Sequence, residues 1–257
     1  MNLADFRLLE LHGGCVTWGP TTTCWLPPVQ SGYADAQFDD YGLATGHGRS
    51  HYRWRPGVVL SVHARFSHEA DQLVGTGGFG FWNAPFGDPT VRWPALPQAT
   101  WFFFASAPSD LPLAAAGPGR GWFAATLDAG QGTAVSLIPL APIIPLLNRL
   151  PALQKRLWPA TRRRLGISFA PVPVALTAWH HYELVWRPSG CQFRVDGQTM
   201  LQSDHSPRGP LGFVCWLDNQ YMVATNDGRF RWGVLPVPTT QWLEVQNLTI
   251  HSRTPET

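Results

Sequence analysis

Apolar and polar positions along this chain form short runs that alternate with a period of about two and are bounded by turn residues, the pattern of β-strands. Val58-Val-Leu-Ser-Val-His-Ala-Arg-Phe66 alternates and closes on a polar turn, Ser67-His-Glu-Ala-Asp71. Gly77-Gly-Phe-Gly-Phe-Trp-Asn83 predicts a strand whose missing side chains allow close approach of a backbone or a ligand. Trp101-Phe-Phe-Phe-Ala-Ser106 is apolar on both faces, as a central buried strand is. His181 to Arg187, a Pro188-Ser-Gly190 turn and Cys191 to Val195 predict a hairpin, and Asp196-Gly197 a second turn after it. Leu211–Asp218 and Trp242–Ile250 complete the strands read this way, and no internal repeat is present.

One segment breaks the pattern. Between Pro142 and Leu165 the apolar residues Ile143, Leu146, Leu147, Leu150, Leu153 and Leu157 recur at helical spacing. Arg149, Lys155, Arg156, Arg162, Arg163 and Arg164 are their polar partners. Pro151 and Pro159 suit first-turn positions or breaks, so 142–165 is expected to hold two or three short helices inserted into a β domain. Three roles suit such an insertion: a cap packed on the sandwich, a lid over a cleft, or a basic amphipathic contact with an anionic membrane surface.

Composition narrows the picture. A hydrophobic fraction of 44% is enough for a substantial core and excludes wholesale disorder. The 25 glycines and 24 prolines are spread along the chain, which suits many strands joined by turns in one domain over residues 1–257. With 13 Trp and 14 Phe, aromatic side chains are available both for the strands and for a ligand-stacking surface. The net charge of +2 hides an asymmetry: six basic residues and no acidic one lie between Arg149 and Arg164, leaving 13 basic against 17 acidic elsewhere. A nucleic-acid partner is excluded on this ground, since it calls for positive charge spread over a face of the main body.

The start, Met1-Asn-Leu-Ala-Asp-Phe-Arg7, has neither the basic nor the apolar part of a signal peptide, and no apolar run reaches the roughly 18 residues of a membrane span. Cys15, Cys24, Cys191 and Cys215 have no paired spacing and are read as free thiols, with a Cys15–Cys24 bridge as the alternative. The expected location is cytoplasmic, or peripheral to a membrane through the insertion. No metal or cofactor motif is present: there is no HExxH, no Cys/His cluster, no EF-hand loop and no GxSxG elbow, and Gly75-Thr-Gly-Gly-Phe-Gly80 lacks the Lys-Ser/Thr of a phosphate loop. A metal site at Asp39-Asp40-Tyr41 is the weaker alternative to an exposed turn.

From Trp179 to Gly197 the chain resembles the laminarinase/lichenase family of glycoside hydrolases, which share the concanavalin A-like lectin/glucanase fold. The family's aromatic-His-x-Tyr-x-x-x-Trp strand, Pro-containing turn and Val-Asp-Gly ending are matched by Trp179, His180, Tyr182, Trp186, Val195, Asp196 and Gly197. Ala64-Arg-Phe66 and Gly80-Phe-Trp82 look like the family's strands leading into its substrate cleft. The resemblance implies an all-β jelly-roll sandwich of two antiparallel sheets, here with the helical insertion. The family's hydrolases carry Glu-x-Asp-x-Glu on the strand after the cleft tryptophan, which turns paired carboxylates to one face. Trp101-Phe-Phe-Phe-Ala-Ser106 stands in that place, so ordinary retaining glucanase chemistry is not expected.

The same resemblance puts one face of the 77–83 and 211–220 strands on a concave cleft. Trp82 with Asn83, Trp216 with Asp218 and Asn219, and Trp54 in the His51-Tyr-Arg-Trp54 run are the candidate ligand contacts. Indole faces stack on flat apolar groups and sugar rings, while carboxylates and amides fix hydroxyls. Core packing for the tryptophans and turn chemistry for Asp218-Asn-Gln220 are the bland alternatives. As acid/base candidates, Asp218 comes first, then the His181–Glu183 pair on one strand face, then Glu69 and Asp71, the region's one Glu-x-Asp. Three functions follow: a carbohydrate- or glycoconjugate-binding domain, an enzyme acting on a hydrophobic small molecule under the insertion, or a protein docked on a membrane through it.

Overall fold

A computed structural model describes residues 3–43, 48–85, 93–115, 117–135 and 143–252. Its strands are Arg7–Leu11 (β1), Cys15–Thr17 (β2), Thr21–Leu26 (β3), Asp35–Asp39 (β4), Val58–Phe66 (β5), Thr76–Trp82 (β6), Gln98–Ala105 (β7) and Gly121–Asp128 (β8). After three helices come Ser168–Pro171 (β9), His180–Arg187 (β10), Gly190–Val195 (β11), Gln198–Ser203 (β12), Gly212–Asp218 (β13), Gln220–Ala224 (β14), Phe230–Val234 (β15) and Gln241–Ser252 (β16). One seven-stranded sheet has the order β1-β4-β13-β6-β7-β8-β9 and the other β12-β11-β10-β5-β16-β3-β2. Neighbouring strands in both are antiparallel, and β14 and β15 pair as a separate ribbon.

Alternation decides what lies between the sheets. Phe79 and Phe81 of β6, Phe102 and Phe104 of β7 and Phe213 of β13 meet Phe66, Tyr182, Trp186 and Phe193 of the second sheet, all of them buried. The motif that carries the family resemblance belongs to this core and its edge. Tyr182, Trp186 and Val195 are core residues. Asp196 and Gly197 adopt positive φ of 50° and 78°, the left-handed pair that a tight two-residue hairpin turn requires. The Asp196 carboxylate then holds His180 Nδ1 at 2.6 Å and accepts the His181 N–H at 2.8 Å. The sequence pattern thus marks a folding element, not a site.

The glycines of Gly77-Gly-Phe-Gly80 have a specific cause. A Cβ on Gly78 would stand 2.2 Å from the Phe102 carbonyl oxygen, and one on Gly80 would meet the Trp101 Cα and Cβ at 2.6 Å. Only glycine lets β6 lie this close beside β7 while Trp101 and Trp216 occupy the space its side chains vacate.

Gly132–Val135 (α1) comes before the insertion, whose described part folds as Ile143–Leu147 (α2) and Pro151–Arg164 (α3), with Pro142 outside the described residues. Pro151 opens α3, whereas Pro159 sits inside the helix, which runs on through it. The Arg162 guanidinium is half-buried and donates to the Leu113 carbonyl at 2.7 Å, so one of the six cations expected to face a membrane serves the fold instead. Leu165 and Ile167, just after α3, pack with Trp101, Phe123 and Trp216 on the outer face of the first sheet. Asp39 and Asp40 correct the expectation of an exposed turn, for both are buried. Asp39 pairs with Arg7 at 2.7 Å, and Asp40 accepts the Phe213 N–H at 2.7 Å.

Candidate functional site

The outer face of the first sheet carries one continuous set of side chains. Strand alternation and register put Trp82 and Thr76 of β6, Trp101 and Phe103 of β7, Phe123 of β8 and Trp216 and Asp218 of β13 on it. Asp35, Gln37 and Asp39 of β4 share it. Trp82 packs on Trp101 at 5.2 Å, Trp101 on Trp216 at 5.8 Å, Trp216 on Phe103 at 5.2 Å and Phe103 on Phe123 at 5.3 Å. One half of the face is therefore aromatic and the other polar, and Trp216 stands at the seam.

Trp101 and Trp216 are each only 7% exposed and form the floor. Tyr33, Gln37, Thr76, Trp82 and Phe103 are partly open and form the mouth. At the seam the Trp216 indole N–H donates to the Thr76 hydroxyl at 3.1 Å, and that hydroxyl donates to Asp218 Oδ1 at 2.8 Å. The same oxygen accepts the Gln220 N–H at 3.0 Å and the Thr76 N–H at 3.3 Å.

Asp218 lies directly opposite Asp35 across β13 and β4. Directly opposed residues hold their Cβ atoms about 5 Å apart, so the two carboxyls are neighbours. Burial pushes Asp218 up to about 6, against the pull of its hydrogen bonds from Gln220 and Thr76. Burial, and then the charge of Asp218, holds Asp35 well above the ordinary carboxylate range. Asp35 Oδ1 is buried without a hydrogen-bond partner, as suits a carboxyl that keeps its proton. The Tyr33 hydroxyl beside them is pushed up by burial and by both carboxyls. Two facing carboxyls that are both shifted upward are an arrangement in which one can donate a proton and the other accept it. On this face β7 presents Ala99, Trp101, Phe103 and Ala105, none of them acidic.

Of the sequence candidates, Trp82, Trp216 and Asp218 come together here. The others do not. Asn219 is fully buried, accepting the Ala34 N–H and donating to the Gly32 and Leu235 carbonyls, which leaves its amide nothing for a ligand. Asn83 donates to the Leu96 carbonyl and accepts the Gln98 N–H, closing the loop between them. Trp54 donates to Asp40 at 2.5 Å and borders a different cavity, of about 990 Å³, with Arg53, Arg55 and Arg187. His181 and Glu183 lie on the outer face of the second sheet, across the core from Asp218. There His181 Nε2 meets Ser61 Oγ at 2.7 Å and its ring stacks on His63, while Glu183 pairs with Arg194 at 3.1 Å. Asp71 is exposed.

Glu69 caps the 176–177 turn, accepting the Leu176 N–H at 3.0 Å and both the N–H and hydroxyl of Thr177, whose hydroxyl bond lowers its pKa. Glu69→Ala is expected to cost about 1 kcal/mol in urea unfolding, as for the loss of a cap, with ligand binding unchanged. The sequence reading missed Asp35, Tyr33 and Gln37, because nothing in the chain before residue 58 was recognised as a strand that pairs with β13.

No family model matches the chain, and no curated protein is significantly similar to it in sequence. Its fold is similar to that of a native glycosidic hydrolase, with a TM-score of 0.50 and 12% identity over 98% of this chain and 92% of that one. Weaker likenesses are to a carbohydrate recognition domain (TM-score 0.48, 8% identity, 97% of this chain and 89% of that one) and to the β-glucanase of Bacillus licheniformis (0.47, 10%, 99% and 94%). The fold is the concanavalin A-like jelly roll that the 179–197 motif implied.

Proposed function

We propose that the outer face of the first sheet is a carbohydrate-directed site, taking a glycan or glycoconjugate at the seam between its aromatic and polar halves. The observation that carries this reading is the single face on which Trp82, Phe103 and Trp216 adjoin Gln37, Thr76 and the Asp35–Asp218 pair. Sugars present an apolar face ringed by hydroxyls, and such a seam offers a ring to the one and carboxyl, amide and hydroxyl groups to the other. The similarity in fold to a glycosidic hydrolase supports the reading.

The test is titration with soluble oligosaccharides from laminarin and lichenan, read by tryptophan fluorescence. Binding should quench emission, and Gln37→Ala should weaken it by about tenfold, one hydrogen bond's worth, with Tm lowered only by the loss of the bond that Gln37 donates to Asp39 at 2.7 Å. Absence of quenching by any neutral or acidic oligosaccharide tried would sink the proposal.

A second reading rests on the facing carboxyls of Asp35 and Asp218, both shifted upward: acid/base chemistry at the same seam. Laminarin and lichenan are not expected to be cleaved by a Glu/Glu retaining mechanism, since β7 supplies no carboxylate to this face. Cleavage that is lost in Asp218→Asn with affinity kept would establish this second reading, whereas lost affinity without any turnover supports binding alone.

A further inference from the structure

Beyond Gln220, the ribbon of β14 and β15 presents a face that no described residue covers. Its register sets Met222 opposite Trp232, Ala224 opposite Phe230 and Gln220 opposite Val234, all on one side. On this side Phe230 is 65% and Trp232 71% exposed, with Met222 and Val234 exposed beside them. Val223 on the other side is buried, and along the edge of β14 the Asp110 N–H donates to the Met222 carbonyl and the Ala224 N–H to the Asp110 carbonyl. A two-stranded ribbon is marginal alone, so four large apolar side chains turned outward on it are unusual.

Helix α2 continues the patch. Ile143 and Leu146 lie one turn apart on α2 and are exposed, as is Leu150 in the turn between α2 and α3. Asn148 donates to the Asn226 carbonyl at 3.0 Å and Arg149 to the Asp227 carbonyl at 3.3 Å. Gln154 donates to Asn226 Oδ1 at 3.1 Å, so the insertion is tied to the ribbon's turn.

Charge selects the occupant. Residues 143–165 and 220–234 together hold eight basic side chains and one acidic, Asp227, leaving 11 basic against 16 acidic in the rest of the chain. Asp227 is already paired with Arg229 at 3.4 Å. Arg149, Lys155, Arg156 and Arg229 are exposed, and Arg231, opposite Val223, is exposed on the other side of the ribbon. Two such surfaces repel each other, which disfavours a second copy as the cover. An anionic surface that is apolar beneath attracts both parts of the patch: head groups draw the arginines, and indole and phenyl rings seat at the boundary with the acyl chains.

We propose that β14, β15 and α2 form a docking surface for the interface of an anionic lipid bilayer. No described helix is long and apolar enough to cross a membrane, so the contact is interfacial, with Phe230 and Trp232 as the inserted anchors. This differs from docking through the basic residues of the insertion alone, because the apolar anchor is the ribbon.

The experiment is co-flotation of the full chain with vesicles of mixed phosphatidylcholine and phosphatidylserine, at low and high salt, against vesicles of phosphatidylcholine alone. The expected result is binding to the mixed vesicles that weakens as salt rises and exceeds binding to the neutral ones. Phe230→Ser with Trp232→Ser should lower it at least tenfold while Tm stays put, since both side chains are exposed. Arg149→Gln with Lys155→Gln and Arg156→Gln should lower it and flatten its salt dependence. No binding at low salt overturns the proposal, and so does binding that the Phe230/Trp232 variant leaves unchanged or that neutral vesicles match. Concentration-dependent self-association abolished by the same variant, with no vesicle binding, gives the face to a second copy instead. Oligosaccharide titration of the Phe230/Trp232 variant should match that of the unaltered chain, which keeps this test separate from that of the seam.

Discussion

Asp35→Asn should make the protein more stable at pH 8 and leave it almost unchanged at pH 4. In the unfolded chain both carboxyls titrate near 3.8, whereas in the fold Asp218 is held at about 6 and Asp35 well above its ordinary range. Both shifts are upward, so the folded state binds protons more tightly and is favoured at low pH. That advantage is lost as pH rises through the folded values. The Asp218 shift alone corresponds to about 3 kcal/mol forfeited above neutrality. An asparagine at 35 is a permanently neutral copy of the protonated acid and removes the penalty that Asp35's own upward shift carries. The expected result is a higher Tm than that of the unaltered chain at pH 8, with the gain shrinking toward zero as pH falls to 4. Thermal unfolding of both proteins across this pH range is the measurement. A loss of stability in the variant at pH 8 would mean that Asp35 is ionised and usefully paired, and the reading of the pair as an acid/base unit would have to be abandoned.

That pair also shows where the sequence was readable and where it was not. Strands β5, β6, β7, β10, β11, β13 and β16 were legible because alternation and turn residues bound them on both sides. Burial then followed, since one parity of each strand fills the core. The first four strands were not legible. β2 has three residues, β1 is a largely exposed edge, and Asp35-Ala-Gln-Phe-Asp39 reads as a polar turn until its partner β13 is known. Asp35 meets Asp218 only through a pairing that spans most of the chain, and no local pattern encodes such a contact. The ribbon of β14 and β15 was missed for a related reason. Its apolar side faces outward, and hydrophobic alternation carries no sign to tell outside from inside.

The same limit applied to Trp216, whose type suggested a ligand platform and whose place turns out to be the floor. Trp216→Ala should therefore be the most destabilising single change on this face, costing about 3–5 kcal/mol through lost transfer energy and a residual cavity. The indole is nearly buried between Trp101 and Phe103, and Gly78 on the facing strand has no side chain with which to fill the gap. The variant also removes the donor that orients the Thr76 hydroxyl toward Asp218, so the polar half of the site loosens along with the aromatic half. Guanidinium unfolding should show the full loss, and Trp216→Phe should recover most of the packing while leaving that donor absent. If the seam takes a glycan as proposed, Trp216→Phe folds, binds more weakly and quenches less, while Gln37→Ala weakens binding at the stability cost of one hydrogen bond to Asp39. Should Trp216→Ala instead unfold no more easily than the unaltered chain, the indole is not wedged into the floor, and the aromatic half would have to be redrawn as an open surface.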